Sequence, residues 1–449
     1  MKVKLIVKKS GPRFRRSIAI AVFILIALYL SGQKPDTLIY ERFSFHGQST
    51  IIEQFKPSFK SDYTGRNSLL PGPENKLSVT STLFLGARLW KNASFYLDPE
   101  IGGGSGLSGS LGVAASANGE TYRIGNPTPQ FELARIYFSQ VFPLSGESDY
   151  VTGDFNKIAG RVPSRFLSIT VGKLCVADNF DVNIYSHDPR TQFMSWALMS
   201  NGAWDYPANT RGYTPSLIAE YVSPVYELRY GFSLVPKEAN GMAMNWDISI
   251  SGSHTIEYTR HYNISGMKGS VRILAFFTRA GMGNYNQSLI IDPELPDITS
   301  TRKNGRTKFG FGFNAEQTLS GDVGLFLRTS WNDGNNETWV FTEIDRSVSL
   351  GISINGRGWK RENDNVAFAI VSSGLSSPHR NYLKAGGYGF ELGDGNLNYG
   401  METLAEFYYS YSLAKSIYLS AAYQFINNPG YNKARGPVNV FSIRVHTVI

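Results

Sequence analysis

The chain has 449 residues, 42% hydrophobic and 13% aromatic, with 45 glycines, one cysteine and a formal charge of +8. A single cysteine excludes an intramolecular disulfide framework. Lys2, Lys4, Lys8, Lys9, Arg13, Arg15 and Arg16 lie within residues 1–32, which hold no acid, so the remainder is near neutral and offers no basic stripe for nucleic acid.

That cationic start leads into IAIAVFILIALYL (Ile18–Leu30) and the small residues Ser31 and Gly32. Thirteen apolar residues make a helix of about 20 Å, short of the ~30 Å hydrocarbon core of a bilayer. The pattern predicts a secretory signal peptide over residues 1–32, cleaved near Gly32. No later apolar run is long enough for a membrane helix. An exported chain rich in aromatics and glycine, poor in cysteine and only moderately hydrophobic fits a transmembrane β-barrel, whose lumen face is polar.

After Gly32 the sequence alternates apolar and polar residues in stretches of strand length, and residues 33–449 are read as one barrel domain. GGGSGLSGSLG (102–112) lacks the amphipathic helix that a phosphate cradle requires, and reads as a loop or strand end. The alternation then breaks over HDPRTQFMSWALMSNGAWDYPANTRGY (187–213), within the longest of the outer links, at 177–213. Asp188 and Pro189 predict a helix start, with Phe193, Trp196 and Ala197 on one face and Asn201-Gly202 as a left-handed stop. Apolar surface of this amount predicts a loop folded inward to narrow the mouth, with Asp188, Arg190, Trp196, Trp204, Asp205, Tyr206 and Arg211 at the constriction.

Alternation resumes in YELRYGFSLV (226–235), where Tyr226, Leu228, Tyr230 and Phe232 oppose Glu227, Arg229 and Ser233. Residues 246–264 are read as one long strand, whose even face is interrupted by His254 and Arg260. KFGFGFNAEQ sets Phe309, Phe311 and Phe313 against Lys308, Asn314 and Glu316, and DVGLFLRTSW sets Val323, Leu325 and Leu327 against Phe326 and Arg328. WNDGNNE (331–337) lacks the ligand pattern of a calcium loop and reads as a hairpin end. Met401, Ala405, Phe407 and Tyr409 oppose Glu402, Glu406 and Tyr408, and Phe441, Ile443, Val445 and Ile449 oppose Ser442, Arg444 and His446.

Short links at 265–269, 319–322 and 414–416 alternate with long ones at 177–213, 280–306, 372–398 and 427–437. Short periplasmic turns and long outer loops are the barrel signature. The expected fold is all-β: a transmembrane antiparallel barrel of about sixteen strands with both ends on the periplasmic side, carrying an inward-folded loop with a short helix. Aromatics near strand ends suit an interfacial girdle. A soluble β-sandwich, as a glycan-acting enzyme or lectin, remains the alternative.

By parity the pore wall holds Arg88, Glu227, Arg229, Glu257, Arg272, Glu316, Arg328, Glu343, Asp345, Glu402, Glu406, Tyr408 and Arg444, with His446 among them. Both signs occur in similar number, which suits neutral polyols better than selection of one ion sign; a non-selective solute pore is the second reading. Exposed to the pore, Glu402 and Glu406 should set ion preference, so their change to Gln should favour anions. The pairs Glu343/Asp345 and Glu402/Glu406 share a face, as lumen carboxylates do, and make a weak case for glycosidase chemistry. The six histidines have no ligand spacing, and no metal or cofactor is implied.

The chain also resembles the carbohydrate-selective, OprB-like outer-membrane porins. Matching runs include FHGQSTIIEQ (45–54), YTGRNSL (63–69), ARIYFSQ (134–140), GKLCVADNFD (172–181), HDPRTQF (187–193), GAWDYPANTRGYT (202–214), RAGMGNY (279–285), FTEIDRSVSLGISINGRGW (341–359) and residues 379–415. The resemblance implies a monomeric barrel that passes monosaccharides or small oligosaccharides by facilitated diffusion, with the lipid membrane and the outer-membrane assembly machinery as partners. It departs from the family in ending on Ile449 rather than an aromatic residue; Ile449 falls on the apolar face, so the strand pattern holds and the departure touches only the strength of the assembly signal. Cys175 stands where a small polar residue is usual, and reads as a neutral filler.

Overall fold

The computed structural model describes residues 40–121 and 128–449; the expected signal peptide lies outside them. The sixteen barrel strands are β1 (Phe43–Lys56), β2 (Glu74–Trp90), β3 (Ala93–Gly103), β4 (Gln130–Pro143), β7 (Phe166–Leu174), β8 (Thr214–Val222), β9 (Tyr226–Ser233), β10 (Gly252–Ile264), β11 (Met267–Ala280), β12 (Arg306–Thr318), β13 (Val323–Asn332), β14 (Arg346–Asn355), β15 (Asn365–Gly374), β16 (Glu402–Ala414), β17 (Ile417–Asn427) and β18 (Val438–Val448). Each pairs antiparallel with its neighbours, and β18 closes the barrel on β1 from Gln48↔Val448 to Phe55↔Phe441. Ile449 continues that seam, exchanging backbone bonds of 2.9 Å with Gly47 in both directions. A Cβ on Gly47 would lie 2.9 Å from the Ile449 side chain, so glycine gives the last residue its place on the outer face.

The expected faces are present. Phe309, Phe311, Leu325, Leu327, Phe407, Phe441 and Ile443 are exposed on the outside, while Lys308, Asn314, Glu316, Phe326, Arg328, Glu402, Glu406, Arg444 and His446 are buried within. On a closed sheet, alternation sends one set to the membrane and the other to the lumen.

Two departures from the alternation have local causes. Residues 246–251 do not extend β10, because Asp247 accepts the Ser249 N–H at 3.1 Å and its carbonyl takes those of Ile250 and Ser251. These turn bonds consume donors that a ladder needs, and the strand starts at Gly252. At the short-link end, residues 144–165 form not a tight turn but a hairpin of their own, β5 (Ser148–Val151) and β6 (Gly160–Pro163).

The apolar core lies inside the barrel, beneath the long links. One cluster gathers Phe193, Met194, Ala197 and Leu198 against Phe326, Leu404 and Tyr408, and a second gathers Phe180, Trp204 and Tyr206 against Phe276, Trp339 and Val340. Two short helices cover this end: α2 (Tyr285–Ile291), capped by Asn284, and α3 (Ser377–Lys384), capped by Ser376 with Pro378 in its first turn. Tyr285 stacks on His379 at 4.3 Å and joins them.

Candidate functional site: the loop across the lumen

The link from β7 to β8 crosses the barrel, and the far wall holds it. Arg444 donates to the carbonyls of Pro189 (2.8 Å), Thr191 (3.0 Å) and Gln192 (2.7 Å). Glu406 accepts the N–H groups of Met194 (2.6 Å) and Ser195 (3.0 Å). Arg328 donates to the carbonyls of Ser186 (2.7 Å) and Leu198 (2.8 Å) and pairs with Asp181 at 3.2 Å. Glu257 and Glu316 accept the N–H groups of Asp181 and Ile184 at 2.7 and 2.8 Å. Tyr185 lies flat over Gly324, where a Cβ would come within 1.9 Å of its ring. Buried charges satisfied in this way fix the path of a segment that has little regular structure.

The helix in this link is shorter than expected: α1 (Trp196–Met199) has four residues. Asp188 accepts the Arg190 N–H at 3.0 Å, but the segment makes one turn there and leaves helical geometry. Phe193 and Trp196 do not share a face, since Phe193 packs on Tyr408 at 5.1 Å and Trp196 on Phe341 at 4.5 Å. No left-handed stop follows, because Ser200 ends the turn in extended conformation and Gly202 is absent from the positive-φ glycines. The wall's carboxylates and guanidinia capture backbone groups that a longer helix would have paired.

On the other side of the loop, facing β1 to β8, lies a cavity of about 550 Å³. Asp188, Arg190, Trp196, Tyr206 and Arg211 line it, whereas Trp204 and Asp205 do not. Trp204 belongs to the second apolar cluster, and Asp205 accepts the N–H groups of Trp339 and Val340, each at 2.8 Å. Replacing Trp204 by Ala should therefore cost about 3–5 kcal/mol of packing yet leave solute block of the current near wild type. Thermal unfolding and single-channel recordings on the same sample check this.

Ion pairs line and back this cavity: Glu120, Arg135, Asp178, Arg190 and Arg211 reach it, and Asp98, Glu100, Glu132 and Lys173 stand behind them. Arg190 binds Glu120 at 2.9 Å and Glu100 at 3.3 Å. Arg135 makes a two-pronged contact with Asp178 (2.7 and 3.0 Å) and reaches Asp98 at 3.5 Å. Glu132 joins Lys173 at 2.7 Å and Arg211 at 3.1 Å. The Tyr213 hydroxyl donates to Glu100 at 2.9 Å, with the Arg135 guanidinium 5.2 Å from its ring centre. Burial alone would lower the Arg190 pKa, but Glu120 and Glu100 hold it well above its usual value, so the side chain stays charged. Burial and the nearby Asp178 push the Cys175 thiol up to about 12, which keeps it neutral beside the cavity.

Glu100, Glu120, Glu132, Arg135, Asp178 and Tyr213 were missed in the sequence reading. Alternation in ASFYLDPEIGG puts Tyr96, Asp98 and Glu100 on one face, a usable signal. In β4 the signal is scrambled: Arg135 pairs with Asp98 and Leu133 with Pro99, leaving Ala134 as an extra, bulged residue. The bulge inverts the phase, so Glu132 above it and Arg135 below it both turn inward.

The residues expected along the pore divide into groups. Glu257, Glu316, Arg328, Glu406 and Arg444 hold the crossing loop, and Arg272 pairs with Glu316 at 3.0 Å. Glu402 accepts the N–H groups of Ala114, Ala115 and Gly430 at 3.0, 2.8 and 2.7 Å. Glu343 and Asp345 lie in the link before β14, accepting the N–H groups of Leu392 and Ser376 at 2.6 and 2.9 Å. Glu227 pairs with Arg229 and with His261. Arg88 lies over the Tyr40 ring at 4.5 Å, at the short-link end. Tyr408 and His446 line a second cavity of about 520 Å³ at that end.

The family description "Carbohydrate-selective porin, OprB family" matches residues 66–449. The chain belongs to this family. It is a porin of the outer membrane; in such barrels the short turns face the periplasm and the long loops the outside. OprB of Pseudomonas putida has the same fold: its high-pH structure aligns at 13% identity and a TM-score of 0.68, covering 91% of this chain and 94% of that one. The low-pH structure aligns at 12% identity and a TM-score of 0.50, covering 91% and 92%. The outer membrane channel DcaP of Acinetobacter baumannii aligns at 10% identity and a TM-score of 0.50, covering 91% and 97%. No curated protein sequence matches the porin.

Proposed function

We propose that this porin carries monosaccharides and small oligosaccharides into the periplasm by facilitated diffusion, through the gap between the crossing loop and β1 to β8. The supporting observation is the composition of that gap, where paired charges of both signs stand beside Trp196 and Tyr206. Fixed donors and acceptors replace a sugar's water shell, and aromatic faces cover its C–H faces. Paired charges give no single-sign field to draw in ions. The solute passes without covalent change. Residues 1–32 serve as the export signal, and the outer-membrane assembly machinery inserts the barrel.

Current through the purified porin in planar bilayers should fall as sugar is added, and sugar should be recovered unchanged from liposomes. Replacing Arg190 by Met should raise the half-blocking sugar concentration about tenfold, the size of one lost charge-assisted contact. It should also increase cation preference, because Glu100 and Glu120 lose their counter-charge. A wild-type current indifferent to every common mono- and disaccharide would establish the non-selective pore instead.

A further inference from the structure

Of the links at the periplasmic end, the hairpin at 144–165 is the longest, and it does not hang below the barrel. Its strands pair from Ser148↔Pro163 to Val151↔Gly160, and a bridge between Asp154 and Lys157 closes the tip around Phe155 and Asn156. Asn156 takes the left-handed position (φ 54°) that a tight tip requires.

The tip points up into the lumen. Phe155 stacks on Phe84 at 4.4 Å and meets His46 edge-on at 6.3 Å. Asn156 donates to Asp98 at 2.9 Å. Ile158 is buried against Tyr96 and Gly86, and the carbonyls of Ile158 and Ala159 accept from Arg88 at 3.5 and 3.3 Å. Ala159 donates its N–H to Glu41 at 3.1 Å. Each of these strand partners except Glu41, which precedes β1, stands on the inward face.

The cavity beside the crossing loop and the periplasmic cavity share two lining residues, Phe155 and Arg190. Phe155 and Arg190 thus border both cavities, the ring stacked on Phe84 and the guanidinium held by Glu120 and Glu100. We propose that the hairpin tip is a second solute-contact station at the periplasmic exit, with Phe155 a specificity-determining residue whose ring takes the apolar face of a sugar while Arg190 takes its hydroxyls. The station rests on the sugar-uptake reading above. It also gives the hairpin a role beyond closing the wall, since stacking on Phe84 holds the ring in place before any solute arrives.

The probe is D-glucose, added to the purified full-length porin in planar bilayers. Phe155→Ala should raise the half-blocking concentration roughly fivefold, the size of one aromatic contact, and Phe155→Trp should restore it. Wild-type block in Phe155→Ala, or no recovery with Trp, would overturn the station while leaving sugar uptake standing. A wild-type current that glucose and other sugars leave unchanged would overturn both. As a check that does not remove the ring, Lys157→Cys in a Cys175→Ser background should react more slowly with a water-soluble thiol reagent when glucose is present. A rate indifferent to glucose would rule out contact at the tip.

Discussion

Replacing residues 190–204 with a short Gly–Ser link should raise single-channel conductance severalfold and abolish sugar block, while the barrel still inserts. The segment fills the lumen between the far wall and the open gap, and it buries Phe193, Met194 and Leu198 almost completely, at 1%, 0% and 0% exposure. It also carries Arg190 and Trp196, so the same change removes both the obstruction and two groups that would touch the solute. Closure of the barrel does not depend on it, because the ladder bonds run from strand to strand and water can solvate the uncovered Glu406, Arg328 and Arg444. Unchanged conductance would mean that the open path runs elsewhere and that the segment only covers the rim.

Replacing Glu406 by Gln together with Arg444 by Met should loosen the crossing loop without moving the reversal potential. The two side chains are 0% and 1% exposed, and five of their hydrogen bonds go to the loop backbone, with Gln424 donating to Glu406 and Arg444 to Ser420 besides. Hydrogen bonds to charged groups contribute about 1.5–3 kcal/mol each, so their combined loss should leave the loop free to fluctuate. Single-channel traces should flicker, and limited proteolysis should cut within 187–204 where the wild type resists. The expectation that Gln at 402 and 406 would favour anions presumed carboxylates open to the pore; instead, both are enclosed as acceptors for loop N–H groups. A reversal potential shifted toward anions, with protease resistance intact, would restore the earlier expectation.

The barrel was legible because one rule, apolar outward and polar inward, holds along nearly every strand. It failed where a local feature broke the period: the bulge at Ala134, the Asp247 turn and the hairpin at 144–165. The crossing loop was legible as an apolar segment too large for water, and Asp188, Arg190, Trp196, Tyr206 and Arg211 do meet at the cavity. Its internal shape was not legible. Asp188 and Pro189 are genuine start signals, but capping acts over a few residues, whereas the loop's path is set by Arg328, Glu406 and Arg444 on strands far along the chain. Trp204 and Asp205 sit beside cavity residues in sequence and face away from them, because Asp205 is taken by the backbone at 339 and 340.

The seam between β1 and β18 has a consequence for how the molecule is made. Thr50 and His446 are hydrogen-bonded at 2.8 Å although 396 residues separate them. Until β18 arrives, β1 presents a bare row of N–H and C=O groups, as does whichever strand was added last, and such edges recruit other chains. The half-built sheet is thus a single-use template that must be kept from pairing with the wrong copy. Its final clasp is the exchange between Gly47 and Ile449, so clipping even the last residues should leave the cylinder hard to shut rather than merely shorter.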